Sequence, residues 1–119
     1  MEYRNLDILD ESQKLEENSF DLIVSNPPYI PEKDYRELPP EIKDFEPIRA
    51  LHGGSDGLMF YRRLASLAQI HLSPGGWFLV EVNDQSGKDV KSILEKNNFH
   101  KVECKKDYSN LDRIVYGQK

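Results

Sequence analysis

Two consecutive prolines constrain this chain more than any other feature. Pro27 and Pro28 follow Phe20-Asp21-Leu22-Ile23-Val24-Ser25, a run that is apolar and β-branched at its centre. The run reads as a strand, and the proline pair removes two ladder donors in succession, so the strand stops abruptly at Asn26-Pro27-Pro28. A weaker strand, Asn5 to Leu9, precedes it across a polar, Glu-rich stretch from Asp10 to Ser19. After it, residues 30–57 read as one long irregular segment holding Pro31, Pro39, Pro40 and Pro47, with Gly53-Gly54 and Gly57 near its end. Loops of that length inside a compact domain are uncommon and usually either functional or disordered.

Periodicity returns at Leu58 to Leu72. Leu58, Tyr61, Leu64, Ala65, Ala68 and Leu72 recur at three- and four-residue steps, a helical stripe with Asp56 as a candidate N-cap. Ser73-Pro74-Gly75-Gly76 is expected to end that helix and turn the chain. Trp77-Phe78-Leu79-Val80-Glu81-Val82 then reads as a strand covered on both faces, with Trp77 in the core. A second helix, Ser86 to Asn97, carries Val90, Ile93 and Leu94 on one face, and Asn97-Asn98 can end it. Two short strands, Lys101 to Lys106 and Arg113 to Tyr116, flank a turn at Asp107-Tyr108-Ser109-Asn110.

Buried strands alternating with helices imply a parallel sheet, and the short final connection implies an antiparallel hairpin. The class is α/β with a mixed sheet. A chain of 119 residues buries roughly two-thirds of its unfolded surface on folding, which suits one domain and not two. The sheet looks incomplete on its N-terminal side, because the Asn5–Leu9 strand has no neighbour in the sequence.

Charge and cysteine content exclude several functions. A net charge of −5 argues against non-specific binding to a phosphate backbone, which needs a stripe of Lys and Arg. No apolar run approaches the ~20 residues that span a bilayer, so no membrane partner is expected. A single cysteine, Cys104, forms no internal disulfide and suits a reducing, cytoplasmic setting.

Asn26-Pro27-Pro28-Tyr29 sits at the C-terminal end of the first firm strand, the edge at which open α/β sheets bind ligands. Asn26 offers a carbonyl acceptor and an amide donor on a short stem. Pro27 and Pro28 fix the backbone direction and present carbonyl oxygens without competing N–H groups. The Asn26 side-chain oxygen and the Pro27 carbonyl could grip both hydrogens of a planar –NH₂ group, with Tyr29 as a flat face beside it. The plainer alternative is a simple strand terminator, since Asn before Pro is ordinary turn chemistry.

Asp21 to Ile30 resembles motif IV of the S-adenosylmethionine-dependent methyltransferases that modify planar –NH₂ groups. Glu46-Pro47, Ala50-Leu51, Gly53-Gly54-Ser55-Asp56-Gly57-Leu58 and Tyr61 narrow the resemblance to the HemK/PrmC family, glutamine methyltransferases of peptide chain release factors. Pro74-Gly75-Gly76, Glu81, Gln85, Asp107 and Arg113 continue the pattern, so it runs from about Asp21 to Gly117. Asn83 and Asn110 stand where that family usually has Gly, and asparagine tolerates the left-handed backbone better than most residues.

The resemblance implies a Rossmann-like class I methyltransferase domain and transfer of a methyl group from S-adenosylmethionine to the glutamine amide of a release factor's Gly-Gly-Gln motif. It implies that Asn26, Pro27, Pro28 and Tyr29 form the catalytic and substrate-binding corner, with Asn26 also near the cofactor. Glu46 and Pro47 would belong to the substrate loop, where Glu46 either contacts substrate or holds the loop. The partner would be the release factor itself, with no direct nucleic acid. The glycine-rich turn and the ribose-binding acid of such enzymes have no counterpart here. Residues 1–119 are therefore expected to be the C-terminal, substrate-binding part of the domain, inactive alone and open to self-association. Two rivals remain: an adenine amino methyltransferase acting on nucleic acid, disfavoured by the charge and by the Glu46–Tyr61 segment, and an inactive folding or interaction module.

Other residues read more plainly. His52, His71 and His100 have no ligand spacing, so no metal site is expected. Cys104 reads as an inward-facing strand residue, and Lys101, Lys105 and Lys106 as a solvated face. Glu81 and Asp84 lie at the end of a strand, where carboxylates often only anchor the following helix.

Overall fold

The computed structural model describes residues 2–12, 19–28 and 57–119. Strand β1 is Phe20–Ser25, helix α1 Met59–His71, strand β2 Leu72–Glu81, helix α2 Gly87–Lys96, strand β3 His100–Lys106 and strand β4 Asp112–Gln118. The strands form one sheet in the order β1-β2-β4-β3. β1 and β2 are parallel, and β4 runs antiparallel to both β2 and β3. The mixed sheet and its terminal hairpin match the class expected from the sequence.

The helices cover one face. Tyr61, Leu64, Ala65 and Ala68 of α1 and Val90 and Leu94 of α2 pack into a single cluster with Phe78, Val80 and Val115 of the sheet. The Phe78 and Phe99 ring centroids lie 5.6 Å apart. Strand alternation sends Leu22, Val24, Trp77, Leu79, Ile114 and Tyr116 to the opposite face. Among the described residues, β2 is therefore covered by helices on one side. Trp77, expected in the core, is half-buried on the other face, its ring 5.8 Å from that of Tyr116.

Two further expectations are corrected. Asn5–Leu9 is not a strand. The Asp7 carboxylate accepts the Leu9 N–H at 3.0 Å, and the Asp7 carbonyl accepts the Asp10 N–H at 3.0 Å, so a local turn replaces the extended backbone. Arg63 Nε donates to the Ile8 carbonyl at 2.6 Å and holds this segment to α1.

Ser73-Pro74-Gly75-Gly76 is not a separate turn but part of β2, which starts directly where α1 ends. Phe20 pairs with Leu72 and Leu22 with Trp77, so two steps along β1 face five along β2. The surplus forms a bulge. Gly75, at φ +84°, permits it, and a pair of backbone bonds between Gly75, Gly76 and Lys119, at 3.0 and 2.9 Å, fastens it to the end of the chain.

α2 is fixed at both ends. Asp89 lies in its first turn and Lys96 in its last, each complementing the helix dipole. Asn98 takes the left-handed conformation at φ +66° just beyond it, ending the helix where Asn97-Asn98 was expected to. At its start the Gly87 N–H donates to the Asp112 carboxylate at 3.2 Å. A Cβ at Gly87 would run into that carboxylate and lie 2.7 Å from Cys104 Sγ, so the close approach of helix to hairpin requires glycine. Gly87→Ala is expected to lower stability by about 1–3 kcal/mol, the usual cost of overpacking. Urea denaturation should show a lower midpoint at an unchanged slope.

Candidate functional site

Because β1 and β2 are parallel, their C-terminal ends open on one rim. Ser25 pairs with Val80 there, and Glu81 pairs with Ile114 of β4, so the start of β4 and the turn before it share that rim. Immediately after β1, Asn26 is exposed, Pro27 buried and Pro28 half-buried. The proline is packed into the protein while the asparagine beside it is accessible. Tyr29, Glu46 and Pro47, the other expected site residues, lie outside the described residues, as do His52, Asp56 and Gly53-Gly54.

A helix side chain, a backbone bond and a turn asparagine hold the rim in shape. Tyr61 of α1 is fully buried, and its hydroxyl donates to the Glu81 carbonyl at 2.7 Å, tying the helix to the end of β2. The Val82 N–H donates to the Arg113 carbonyl at 2.8 Å and carries the pairing one residue past β2. Asn83 does not use the left-handed backbone. Its side-chain oxygen instead accepts the Gln85 N–H at 3.0 Å and shapes the turn into α2. Asn110 does take that conformation, at φ +64°.

Asp107 organises the β3–β4 turn. Its carboxylate accepts the Ser109 and Leu111 N–H groups at 2.8 and 3.0 Å and the Arg113 Nε–H at 2.8 Å. The Arg113 bond, with the backbone donors, holds the Asp107 carboxyl below the usual carboxylate range. A lowered native pKa stabilises the turn above the unfolded value, and that contribution is lost as pH falls through the native one. Protection of the Ser109 and Leu111 amides against exchange should therefore be present at neutral pH and fall in acid, after correction for intrinsic rates. Asp107→Asn should flatten this pH dependence, as read by NMR hydrogen exchange.

Sequence periodicity placed Tyr61 only in an apolar stripe and missed the tether. The available signal was its hydroxyl, which a buried tyrosine must satisfy. Among the described residues, no group of three or more His, Cys, Asp and Glu is placed to hold a metal ion. No helix among them is long and apolar enough to cross a membrane. Cys104 is half-buried, and burial first, then the neighbouring Asp112 charge, push its thiol up from the ordinary value. Alkylation of Cys104 by iodoacetamide at pH 8 should run several-fold slower than that of a free cysteine.

A nucleoside cofactor would need a glycine turn between a strand and a helix. Among the described residues, Gly57 and Gly75 are the glycines with positive φ. Gly75 lies at the opposite end of the sheet, bonded to Lys119, and Gly57 lies just before α1. Among the described residues, no strand leads directly through a glycine of positive φ into a helix, the turn that cradles a nucleoside cofactor.

Known proteins match this arrangement, although no family profile matches the chain. The chain is 46% identical over 96 residues to the release factor glutamine methyltransferase of Clostridium acetobutylicum, covering 81% of this chain and 34% of that protein. Its counterpart in Geobacter sulfurreducens is 42% identical over 106 residues, covering 89% of this chain and 37% of that protein. Among solved structures, the release factor-specific protein-(glutamine-N5) methyltransferase of Alicyclobacillus acidocaldarius superposes with a TM-score of 0.53 at 24% identity, over 85% of this chain and 49% of that one. A protein of Bordetella parapertussis described as a possible exported protein shares the fold at a TM-score of 0.51 and 15% identity, over 87% of this chain and 40% of that one.

The sheet order and its terminal hairpin are those of the C-terminal part of a Rossmann-like methyltransferase domain. Over its matched residues the chain is similar to the release factor glutamine methyltransferases and corresponds to the C-terminal part of those relatives. It spans about a third of the length of the curated relatives it matches.

Proposed function

We propose that this chain supplies the substrate-gripping part of a release factor glutamine methyltransferase. The reaction is methylation of the side-chain amide nitrogen of the glutamine in a Gly-Gly-Gln motif. The observation that carries this reading is Asn26 exposed beside a buried Pro27 at the C-terminal end of β1. The names of the relatives point to the same substrate and not to adenine.

An amide nitrogen is a poor nucleophile because its lone pair is delocalised into the carbonyl. In this reading the Asn26 Oδ1 and the Pro27 carbonyl accept one N–H each, fixing the plane of the amide and the direction its nitrogen presents. Tyr29 packs against that plane. The chain contributes position rather than a nucleophile or a base, which is a large effect when reacting atoms must meet in one geometry. The methyl donor implied is S-adenosylmethionine, held beside Asn26 and otherwise by residues other than those described here. Domain organisation follows: residues 1–119 act as the substrate-binding part of the domain.

The test is a chimaera in which this chain replaces the matched segment of the Clostridium acetobutylicum relative. It should methylate a release factor, and Asn26→Ala should cut turnover by about 10²-fold or more, the scale of losing one preorganised hydrogen-bonding group at a reacting centre. Near-normal turnover of Asn26→Ala, with its fold intact by circular dichroism, would remove Asn26 from the site. Methylation of DNA in place of the release factor would overturn the reading.

A further inference from the structure

The turn between β3 and β4 carries an aromatic side chain that the fold does not use. Tyr108 is 111% exposed, more than any other large hydrophobic residue described, and makes no hydrogen bond or ring contact. A single exposed aromatic on a mobile loop would be ordinary. This one stands on a fixed backbone. The Asp107 carboxylate accepts the Ser109 and Leu111 N–H groups, the Asp107 N–H donates to the Leu111 carbonyl at 2.8 Å, and the Asp107 carbonyl accepts the Asn110 N–H at 3.0 Å. These bonds, with Asn110 in the left-handed conformation, lock the turn from residue 107 to residue 111. A ring already held on an ordered turn loses little freedom on binding, which is how protein interfaces place their aromatic anchors.

Strand register places that ring relative to Asn26. Ser25, Val80, Val115 and Cys104 pair on one line across the sheet. Asn26 follows the line by one residue and Tyr108 by four, both toward the same rim. At ~3.3 Å per residue along a strand and ~4.8 Å between strands, Tyr108 stands ~10 Å higher than Asn26 and, across three strand spacings, ~14 Å to its side. The separation is then ~17 Å, the reach of about five residues of extended polypeptide. A small amide at Asn26 does not touch the ring. A protein presenting that amide does.

We propose that Tyr108 is a specificity-determining anchor, its ring packing against the release factor polypeptide about five residues from the glutamine held at Asn26. The proposal rests on the reading of Asn26 as the amide-gripping corner and adds what that corner lacks. Two acceptors at Asn26 and Pro27 read any primary amide alike, whereas a contact ~17 Å away is open only to a longer chain. The ring face suits an aliphatic side chain or the stem and guanidinium of an arginine. A second copy of this chain fits less well. One tyrosine buries at most ~200 Å², far below the ~800 Å² per partner of a stable dimer, so the ring serves as an adjunct to a contact made elsewhere. Asn26 provides that contact on the same rim.

Calorimetric binding of a release factor to the chimaera tests this apart from turnover, with Tyr108→Ala and Tyr108→Phe as the variants. Tyr108→Ala should weaken Kd about tenfold, the scale of an interface anchor, and raise KM alike while leaving kcat within about twofold. Tyr108→Phe, which keeps the ring, should stay close to the parent. A blocked Gly-Gly-Gln tripeptide should shift the Asn26 signals equally in parent and Tyr108→Ala, and melting should not change. An unchanged Kd in Tyr108→Ala would overturn the proposal, and an active chimaera would then leave the methylation reading standing. A lowered melting temperature, or a dimer of the isolated chain that Tyr108→Ala dissolves, would also overturn it by assigning the ring to the fold or to a second copy. A release factor bound through Tyr108 but not methylated would count against the methylation reading and leave this one standing.

Discussion

The parallel pairing of β1 with β2, cut off by Pro27 and Pro28, is the contact on which the rest depends. It points both C-terminal ends at one rim, so the exposed Asn26 and the Glu81–Gln85 turn share an edge. It requires a long return, and α1 provides it on one face of the sheet. The antiparallel addition of β4 then brings the Asp107–Arg113 turn to the same rim. Reversing that one pairing would separate the parts of the site without changing any of their residues.

Much of the fold was legible because it is written in period. The three- and four-residue spacing of Tyr61, Leu64, Ala65 and Ala68 located α1 within a residue of its observed ends. β3 and β4 proved slightly longer than their apolar centres, because ladder pairing extends into residues such as Asp112 and Gln118 that have no strand preference of their own. Ser73-Pro74-Gly75-Gly76 was misread for a different reason. Its residues serve a free turn or a bulge equally well, and only the partners Phe20, Leu22 and Lys119 decide between them. Asn5–Leu9 failed as a strand because Asp7 bonds its own backbone nearby.

The site divides along the same line. Asn26-Pro27-Pro28 stood out as a candidate because its residue types are unusual at the end of a strand. The supports that hold the rim were not, since the Tyr61 bond to Glu81 joins residues 20 apart in sequence. Asp107 stood out only as a turn residue. Its hold on Arg113 and two backbone amides became apparent once the hairpin was closed. Among the described residues, the strand expected to be covered on both faces has helices on one, because its alternate residues pair outward with Leu22, Val24 and Tyr116.

The central claim is that the Asn26–Pro28 corner grips a primary amide. The direct measurement is an NMR titration of the chain with a short peptide containing Gly-Gly-Gln, at millimolar concentration, against a Gly-Gly-Glu control. The account predicts shifts in the Asn26 side-chain amide and in neighbouring backbone signals with the glutamine peptide, and markedly smaller ones with the control. Equal shifts with both peptides, or changes confined to residues away from the rim, would contradict it.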